Sequence, residues 1–209
     1  MLALFNIEKW LKQGGLTIAA LIVFAESGLL IGFFLPGDSL LFVAGFLSSN
    51  AGHHVMPPLP VTAGVIFVAA VLGDQVGYLF GRKVGPSLFD RSKSRLFNPV
   101  NVARAHLFFE RRGPAAIVLA RFVPIVRTFT PIVAGVAKMN YRTFVTFNLI
   151  GGFLWGVGVT TLGYFLGEID FVKNNLEIAA VVIVAISLLP VAIEYMRHRK
   201  AASATADDV

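Results

Sequence analysis

The apolar residues of the chain lie in long blocks separated by short polar segments, and do not follow the one-sided helical or alternating patterns of a soluble domain. The blocks at about 61–81, 143–167 and 176–196 are almost free of charge. Each can cross a hydrocarbon core, which takes roughly 20 residues in a helix. They predict three full transmembrane spans.

Two further apolar blocks, at about 16–49 and 115–137, are interrupted by helix-breaking and charged residues. The first is 34 residues long, too long for one span and short for two, and contains the sequence FLPGDS at 34–39. The second is interrupted by Pro124, Arg127, Pro131 and Gly135. Backbone groups freed by such breaks cannot face lipid. We therefore expect two re-entrant helical hairpins that enter from opposite faces, with tips buried in protein.

The composition excludes several classes of protein. Of the 209 residues, 56% are hydrophobic and 14% are charged, whereas soluble domains have about 25% charged residues. A soluble enzyme, a disordered chain and a nucleic-acid-binding domain are excluded. The chain has no cysteine, and its four histidines lack ligand spacing, so we expect no disulfide, metal or cofactor. No catalytic constellation is visible. The sequence predicts an all-α polytopic membrane protein, not an enzyme, with one transmembrane domain over residues 1–197.

The placement of the positive charges predicts an orientation. The net charge is +6, and eight of the 18 lysines and arginines lie in the segment 82–114. Because cytoplasmic loops are enriched in these residues, we expect 82–114 to be a basic cytoplasmic loop and 198–209 a disordered cytoplasmic tail. The first 15 residues are typical of an interfacial amphipathic helix. Which side of the membrane it occupies stays open.

The two halves of the chain share an internal repeat. Each contains a broken block, an Ala-Gly pair at 44–45 or 134–135, and a span that ends in Gly-Tyr-x-x-Gly at 77–81 or 163–167. Broken segments in corresponding positions of two halves indicate an inverted-repeat transporter with its site near the bilayer midplane.

Five ionisable residues lie within the apolar blocks: Glu26, Asp38, Asp74, Arg121 and Arg127. Each costs on the order of 2.5–3.5 kcal/mol at the bilayer centre, so they must pair, become neutral or face water. One interpretation is structural ion pairing between the hairpins. The other is that Arg121 and Arg127, which flank Pro124, bind an anion.

The second interpretation suits the chemistry of these groups. A guanidinium presents a planar fork of donors that fits phosphate, and burial favours the neutral form of a carboxylate, which suits proton coupling. We expect Glu26, Asp38, Arg121 and Arg127 to converge on one cavity.

Several of these segments together resemble the DedA family of bacterial inner-membrane proteins, over about residues 10–195. They are Glu26 with Pro36-Gly37-Asp38, ARFVPIVR at 120–127 with Ala134–Gly135, and the run from Gly73-Asp74 to Gly81. The resemblance implies a multi-pass transporter of the bacterial plasma membrane, and the charge distribution places its C-terminus in the cytoplasm. The resemblance also implies flipping of a polyprenyl-phosphate carrier, chiefly undecaprenyl phosphate, for recycling in envelope synthesis, with dependence on the proton motive force.

The resemblance also assigns roles to residues. It implies that Arg121 and Arg127 bind the substrate phosphate and that Glu26 and Asp38 couple transport to protons. The expected supporting residues are Asp74, Pro36, Gly37, Pro124 and Tyr78.

Two alternatives remain. One is a cation/proton antiporter, in which the acids bind the cation and the arginines balance charge. The other is a carrier of another phospholipid, such as phosphatidylethanolamine. A non-transporting scaffold has little support, and no nucleic-acid partner is expected. The glycines at 151–152, 156 and 158 could pack helices within the subunit or across a homodimer.

Overall fold

The computed structural model describes residues 2–29, 37–89 and 113–169. Within these residues the regular elements are all helical, with no strand, as the sequence predicts. The helices are α1 (Leu2–Gly28), α2 (Gly37–Leu47), α3 (Leu59–Phe89), α4 (Ala115–Ala120), α5 (Pro124–Val136), α6 (Tyr141–Gly152), a π-helical turn (Phe153–Val157) and α7 (Gly158–Leu166). The third predicted span, Pro36, residues 90–112 and the tail lie outside the described residues.

Helix α1 is two helical pieces joined at a sharp kink. Gly15 has φ 58° and ψ −148° inside the helix, a conformation that glycine adopts readily because it has no Cβ. The kink separates the charged N-terminal piece from the apolar piece at the boundary that the sequence indicates. The interfacial position of the N-terminal piece stays a prediction.

Both broken blocks consist of two helices. In the first, α1 ends at Gly28 and α2 begins at Gly37. In the second, α4 ends at Ala120, and after a three-residue turn α5 begins at Pro124, a position where proline is favourable. That these pairs are re-entrant in the bilayer stays a prediction.

The expectation that Pro131 and Gly135 interrupt the second block is wrong. Helix α5 continues through Pro131 to Val136. A proline removes one backbone hydrogen bond and costs about 3 kcal/mol or more inside a helix. Here α5 packs along α3 over this stretch, and tertiary packing can override an unfavourable helix propensity.

Two predicted spans are present with altered bounds. Helix α3 extends to Phe89, so the first residues of the predicted loop 82–114 are helical. Arg82 and Lys83 are good helix formers whose long side chains can reach the membrane surface. The span predicted at 143–167 runs from α6 to α7 through the π-helical turn.

Both spans are long and apolar enough to cross a membrane, at Leu59–Val84 and Tyr141–Leu166. Their outward faces carry exposed apolar side chains, such as Val68 (51% exposed) and Phe165 (62%). So many exposed large apolar residues suit contact with lipid.

Helix α2 packs against α7 through glycines at backbone contact distance. A side-chain carbon added at Gly45 would overlap the carbonyl oxygen of Thr160, and one added at Gly163 would overlap that of Phe42. Because these obstacles are backbone atoms, they cannot move aside as a flexible side chain would.

Helix α5 packs against α3 in the same way. A side-chain carbon at Gly135 would overlap the carbonyl oxygen of Tyr78, and one at Gly81 would overlap that of Ile132. We call the α2–α7 and α5–α3 contacts the two glycine seams. The second helix of each broken block therefore packs against the span of the other half, and the halves interlock.

The seams correct the register of the internal repeat. The Gly-Tyr-x-x-Gly motifs pair Gly77 with Gly163, but the residue that occupies the place of Gly163 in the α5–α3 seam is Gly81. Gly81 lies four residues, about one helical turn, after Gly77. The sequence match identifies the right helices but misplaces them by one turn.

Candidate functional site

All five ionisable residues of the apolar blocks are buried, with exposed fractions between 2% and 6%. They form two polar clusters inside the helical bundle. The Arg127 cluster consists of Glu26, Asp38, Arg127 and Trp155, and the Arg121 cluster consists of Asp74, Arg121 and Asn148.

The Arg127 cluster joins both broken blocks. Arg127, in the first turn of α5, donates from Nη1 to Asp38 Oδ1 at 2.8 Å and from Nη2 to Glu26 Oε1. The N–H of Gly37 also donates to Glu26 Oε1, at 3.3 Å. A side chain at residue 37 would overlap the Glu26 carboxylate, which explains why glycine precedes Asp38.

Trp155 completes this cluster from the π-helical turn. Its indole N–H donates to Asp38 Oδ1 at 2.7 Å, and the guanidinium carbon of Arg127 lies 4.3 Å from the centre of its ring. The second contact is a cation–π interaction. π-helical turns inside α-helices frequently mark functional sites, and this one presents Trp155 to the ion pairs.

The Arg121 cluster lies where α4 ends. Arg121 Nη2 donates to Asp74 Oδ2 of α3 and to Asn148 Oδ1 of α6, the latter at 2.5 Å. Asn148 Nδ2 donates to the carbonyl oxygen of Val71 at 3.4 Å.

The expected convergence of four residues is therefore only partly observed. Glu26, Asp38 and Arg127 meet, but Arg121 belongs to the other cluster. The turn at 121–123 reorients the chain between the two arginines. Arg121 follows α4 directly and lies beside α3 and α6, whereas Arg127 lies in α5 beside α1 and α2.

Both clusters contain buried pairs of opposite charge. Each cluster carries at least one guanidinium and one carboxylate, and removing one partner of a buried ion pair typically costs 3–5 kcal/mol because the other charge stays behind.

Both clusters also retain unused hydrogen-bonding capacity. Among the described residues, these buried atoms have no hydrogen-bond partner: Glu26 Oε2, Asp74 Oδ1, Arg127 Nε, and Arg121 Nε and Nη1. A buried polar group without a partner costs about 1–3 kcal/mol. A proton or a polar ligand that supplied the partner would recover that cost.

The remaining supporting residues have different positions. Tyr78 lies outside both clusters, where its hydroxyl donates to the carbonyl oxygen of Met139 at 2.5 Å and accepts from Arg82 at 3.1 Å. Pro124 begins α5, and Pro36 lies outside the described residues.

Two residues of the clusters, Asn148 and Trp155, are not predicted from the sequence. Both lie in the apolar block 143–167 and carry no charge. The sequence signal that could identify them is a polar side chain within an apolar span, because a buried amide or indole N–H needs a hydrogen-bond partner. In the structure both side chains are at most 1% exposed.

A cavity of about 620 Å³ lies beside the loop between α2 and α3, where it is lined by residues 54–60, Ser48 and Tyr164. None of the five buried ionisable residues lines this cavity, so it is not the predicted common site.

Comparisons with known proteins agree with the family resemblance. The VTT domain matches residues 35–165. The chain is 45% identical to the protein DedA of Escherichia coli K12, with 90% of this chain and 85% of that protein covered. It is 44% identical to the membrane protein ML0287 of Mycobacterium leprae, with 94% and 89% covered.

The inner membrane protein YghB of Salmonella typhimurium is 37% identical, with 82% of this chain and 75% of that protein covered. No solved structure matches the chain significantly. The family match includes all of the ionisable residues of both clusters except Glu26, and the relatives are membrane proteins. The chain is therefore a membrane protein that belongs to the DedA family.

Proposed function

We propose that this protein is a multi-pass transporter that moves a polyprenyl phosphate, such as undecaprenyl phosphate, across the bacterial plasma membrane for reuse in envelope synthesis. Transport is coupled to protons, the C-terminus is cytoplasmic, and no covalent chemistry is involved. One observation carries the proposal: a buried arginine, Arg127, bridges two carboxylates from two other helices where the broken blocks meet.

Phosphate recognition follows from the geometry of the arginine. A guanidinium binds two oxygens of one carboxylate or one phosphate with parallel hydrogen bonds. Arg127 uses both terminal nitrogens on separate carboxylate oxygens, and a phosphate monoester offers equivalent acceptors in one group. The polyprenyl tail stays in lipid beside the spans, so only the head group enters the polar interior.

Proton coupling follows from competition for the same donors. Protonation of Glu26 and Asp38 removes their negative charges and frees Arg127 to bind phosphate. Loss of those protons restores the ion pairs and expels the anion. The cluster thus alternates between an anion-binding state and a self-paired state as the two halves move.

One observation favours a cation/proton antiporter as the second candidate. Among the described buried residues there are three carboxylates and only two guanidinium groups, an excess of negative charge that a proton or metal cation could balance. In that mechanism the acids bind the cation and the arginines hold them in place. A phosphatidylethanolamine carrier is a further candidate, since its head group combines an ammonium with a phosphate.

Transport by the purified protein in liposomes separates these candidates. The probes are fluorescent polyprenyl monophosphate, polyprenyl alcohol of the same length and labelled phosphatidylethanolamine, each followed by accessibility to a membrane-impermeant quencher. We expect rapid movement of the phosphate alone. Equal movement of all three probes, or of none, would contradict the proposal. Dissipation of a pH gradient by Na⁺ or K⁺ without lipid movement would favour the antiporter.

A further inference from the structure

In the Arg121 cluster an uncharged amide takes the place that a second carboxylate has in the Arg127 cluster. Arg127 is held by two carboxylates, those of Glu26 and Asp38. Arg121 is held by one carboxylate, that of Asp74, and by the amide oxygen of Asn148. With all groups ionised, the Arg127 cluster has a net charge of −1 and the Arg121 cluster is neutral.

The clusters also differ in the number of arginine N–H groups that have no hydrogen-bond partner. Both terminal nitrogens of Arg127 are bonded to carboxylates. Arg121 uses only Nη2, and its Nε and Nη1 are buried without a hydrogen-bond partner in the described part of the chain. Arg121 therefore has more capacity to bind an additional oxyanion, and less negative charge beside it to repel one.

The amide of Asn148 is fixed in one orientation. Its side chain is fully buried, its oxygen accepts from Arg121, and its nitrogen donates to the carbonyl oxygen of Val71. The oxygen thus faces the guanidinium as a carboxylate oxygen would, but without a charge.

One span contributes a side chain to each cluster. Asn148 lies seven residues before Trp155 on the continuous helix from α6 into the π-helical turn. Seven residues are close to two helical turns, so both side chains lie near one face of the helix, about 10 Å apart along its axis. A phosphate bound at Arg121 is therefore one short step from Arg127.

We propose that Asn148 is a specificity-determining residue that makes the Arg121 cluster the receiving site for a phosphate monoester head group, while the Arg127 cluster holds the coupling proton. The assignment rests on the proposed function: Arg121 receives the phosphate first, and Arg127 binds it after the coupling proton has neutralised an acid of its cluster. A carboxylate at residue 148 would occupy Arg121 and repel the incoming phosphate.

The test is binding of a short-chain polyprenyl monophosphate to the full-length protein in detergent, with the matching polyprenyl alcohol as the reference. We expect Asn148→Asp to bind the phosphate about tenfold more weakly or worse, equivalent to at least 1.4 kcal/mol. The double variant Asn148→Asp with Asp74→Asn exchanges the acid and the amide, and we expect most of the affinity to return. Asn140→Asp, an exposed cap of the same helix α6, is the matched control and should bind like wild type.

A second variant keeps the test decisive if Asn148→Asp fails to fold. Asp74→Asn alone removes the acid that competes for Arg121, so we expect tighter phosphate binding. Wild-type affinity in Asn148→Asp, no recovery in the double variant, or weaker binding by folded Asp74→Asn would each overturn the assignment of Asn148. Equal binding of phosphate and alcohol by the wild type would instead overturn the proposed function, and the assignment with it.

Discussion

Helices α2 and α5 occupy corresponding places in the two halves but begin with opposite charges. Each packs on the other half's span through the same kind of glycine seam. Asp38 is the second residue of α2, and Arg127 is the fourth residue of α5. The repeat therefore supplies the scaffold, and the charges that differ between its two copies form the buried ion pair.

The helix dipole acts in opposite directions on the charges of Asp38 and Arg127. The N-terminal end of a helix carries a partial positive charge, which stabilises an acid there and destabilises a base by about 0.3–1 kcal/mol. Asp38 is thus well placed, whereas Arg127 is placed against the dipole and depends on Glu26 and Asp38. An arginine in an unfavourable position that needs two acids is suited to exchange partners, as a transport site requires.

The largest effect should come from the glycine seams. Gly45→Ala and Gly135→Ala each force a carbon against a backbone carbonyl, so each should cost about 3 kcal/mol or more, beyond the usual range for overpacking. Thermal unfolding in detergent measures this. Gly158→Ala has no atom in its way and should be neutral or stabilising by up to about 1 kcal/mol. A large loss in only one seam would show that the halves are not equivalent scaffolds.

Neutralising the acids should stop coupled transport with a smaller effect on folding. Glu26→Gln and Asp38→Asn keep size and hydrogen-bonding capacity but cannot exchange a proton. Because the other acid still pairs with Arg127 in each single variant, we expect near-wild-type melting temperatures and no lipid movement in liposomes. Glu168→Gln, at an exposed acid, is the control.

A purely structural role predicts the reverse for the same variants. Breaking a buried ion pair would then cost about 3–5 kcal/mol. Early melting, with full transport by whatever protein folds, would show that the acids are structural and that the mechanism is wrong.

Arg127→Lys should be a poor substitute although the charge is kept. Lysine is a compact point charge without the fork that reaches Glu26 and Asp38 at once. Losing one charged hydrogen bond costs about 1.5–3 kcal/mol, so we expect transport to fall about tenfold or more. Arg142→Lys, at an exposed arginine, should be active. Full activity of Arg127→Lys would mean that only net charge matters, which favours the antiporter.

The smallest effect should come from Trp155→Phe. Phenylalanine keeps an aromatic ring beside Arg127 but loses the indole N–H that binds Asp38. We expect about 1–2 kcal/mol of lost stability and a partial loss of transport, with Phe153→Leu, on the exposed side of the same turn, as the control. Unchanged stability and transport would remove Trp155 from the site.

The sequence predicts the location of the charges better than their partners. Proline and glycine at 36–37 and 124 mark the broken blocks, and charges in apolar blocks mark Glu26, Asp74 and Arg121, because bilayer energetics act on each residue locally. The partner of Arg121 depends on how α3 and α6 pack. That packing is set by backbone contacts at the seams, whose register the motif match misplaced by one turn. Asn148 and Trp155 were not predicted because an uncharged polar side chain is common in a transmembrane span.

The most direct measurement is the rate of polyprenyl phosphate movement in liposomes that contain the wild-type protein, with and without a pH gradient. Competition between phosphate and the carboxylates of Glu26 and Asp38 for Arg127 predicts that an imposed gradient accelerates movement, and that Glu26→Gln liposomes show no such response. The same rate with and without the gradient, or an equal response in Glu26→Gln, would contradict a proton-coupled exchange at the Arg127 cluster.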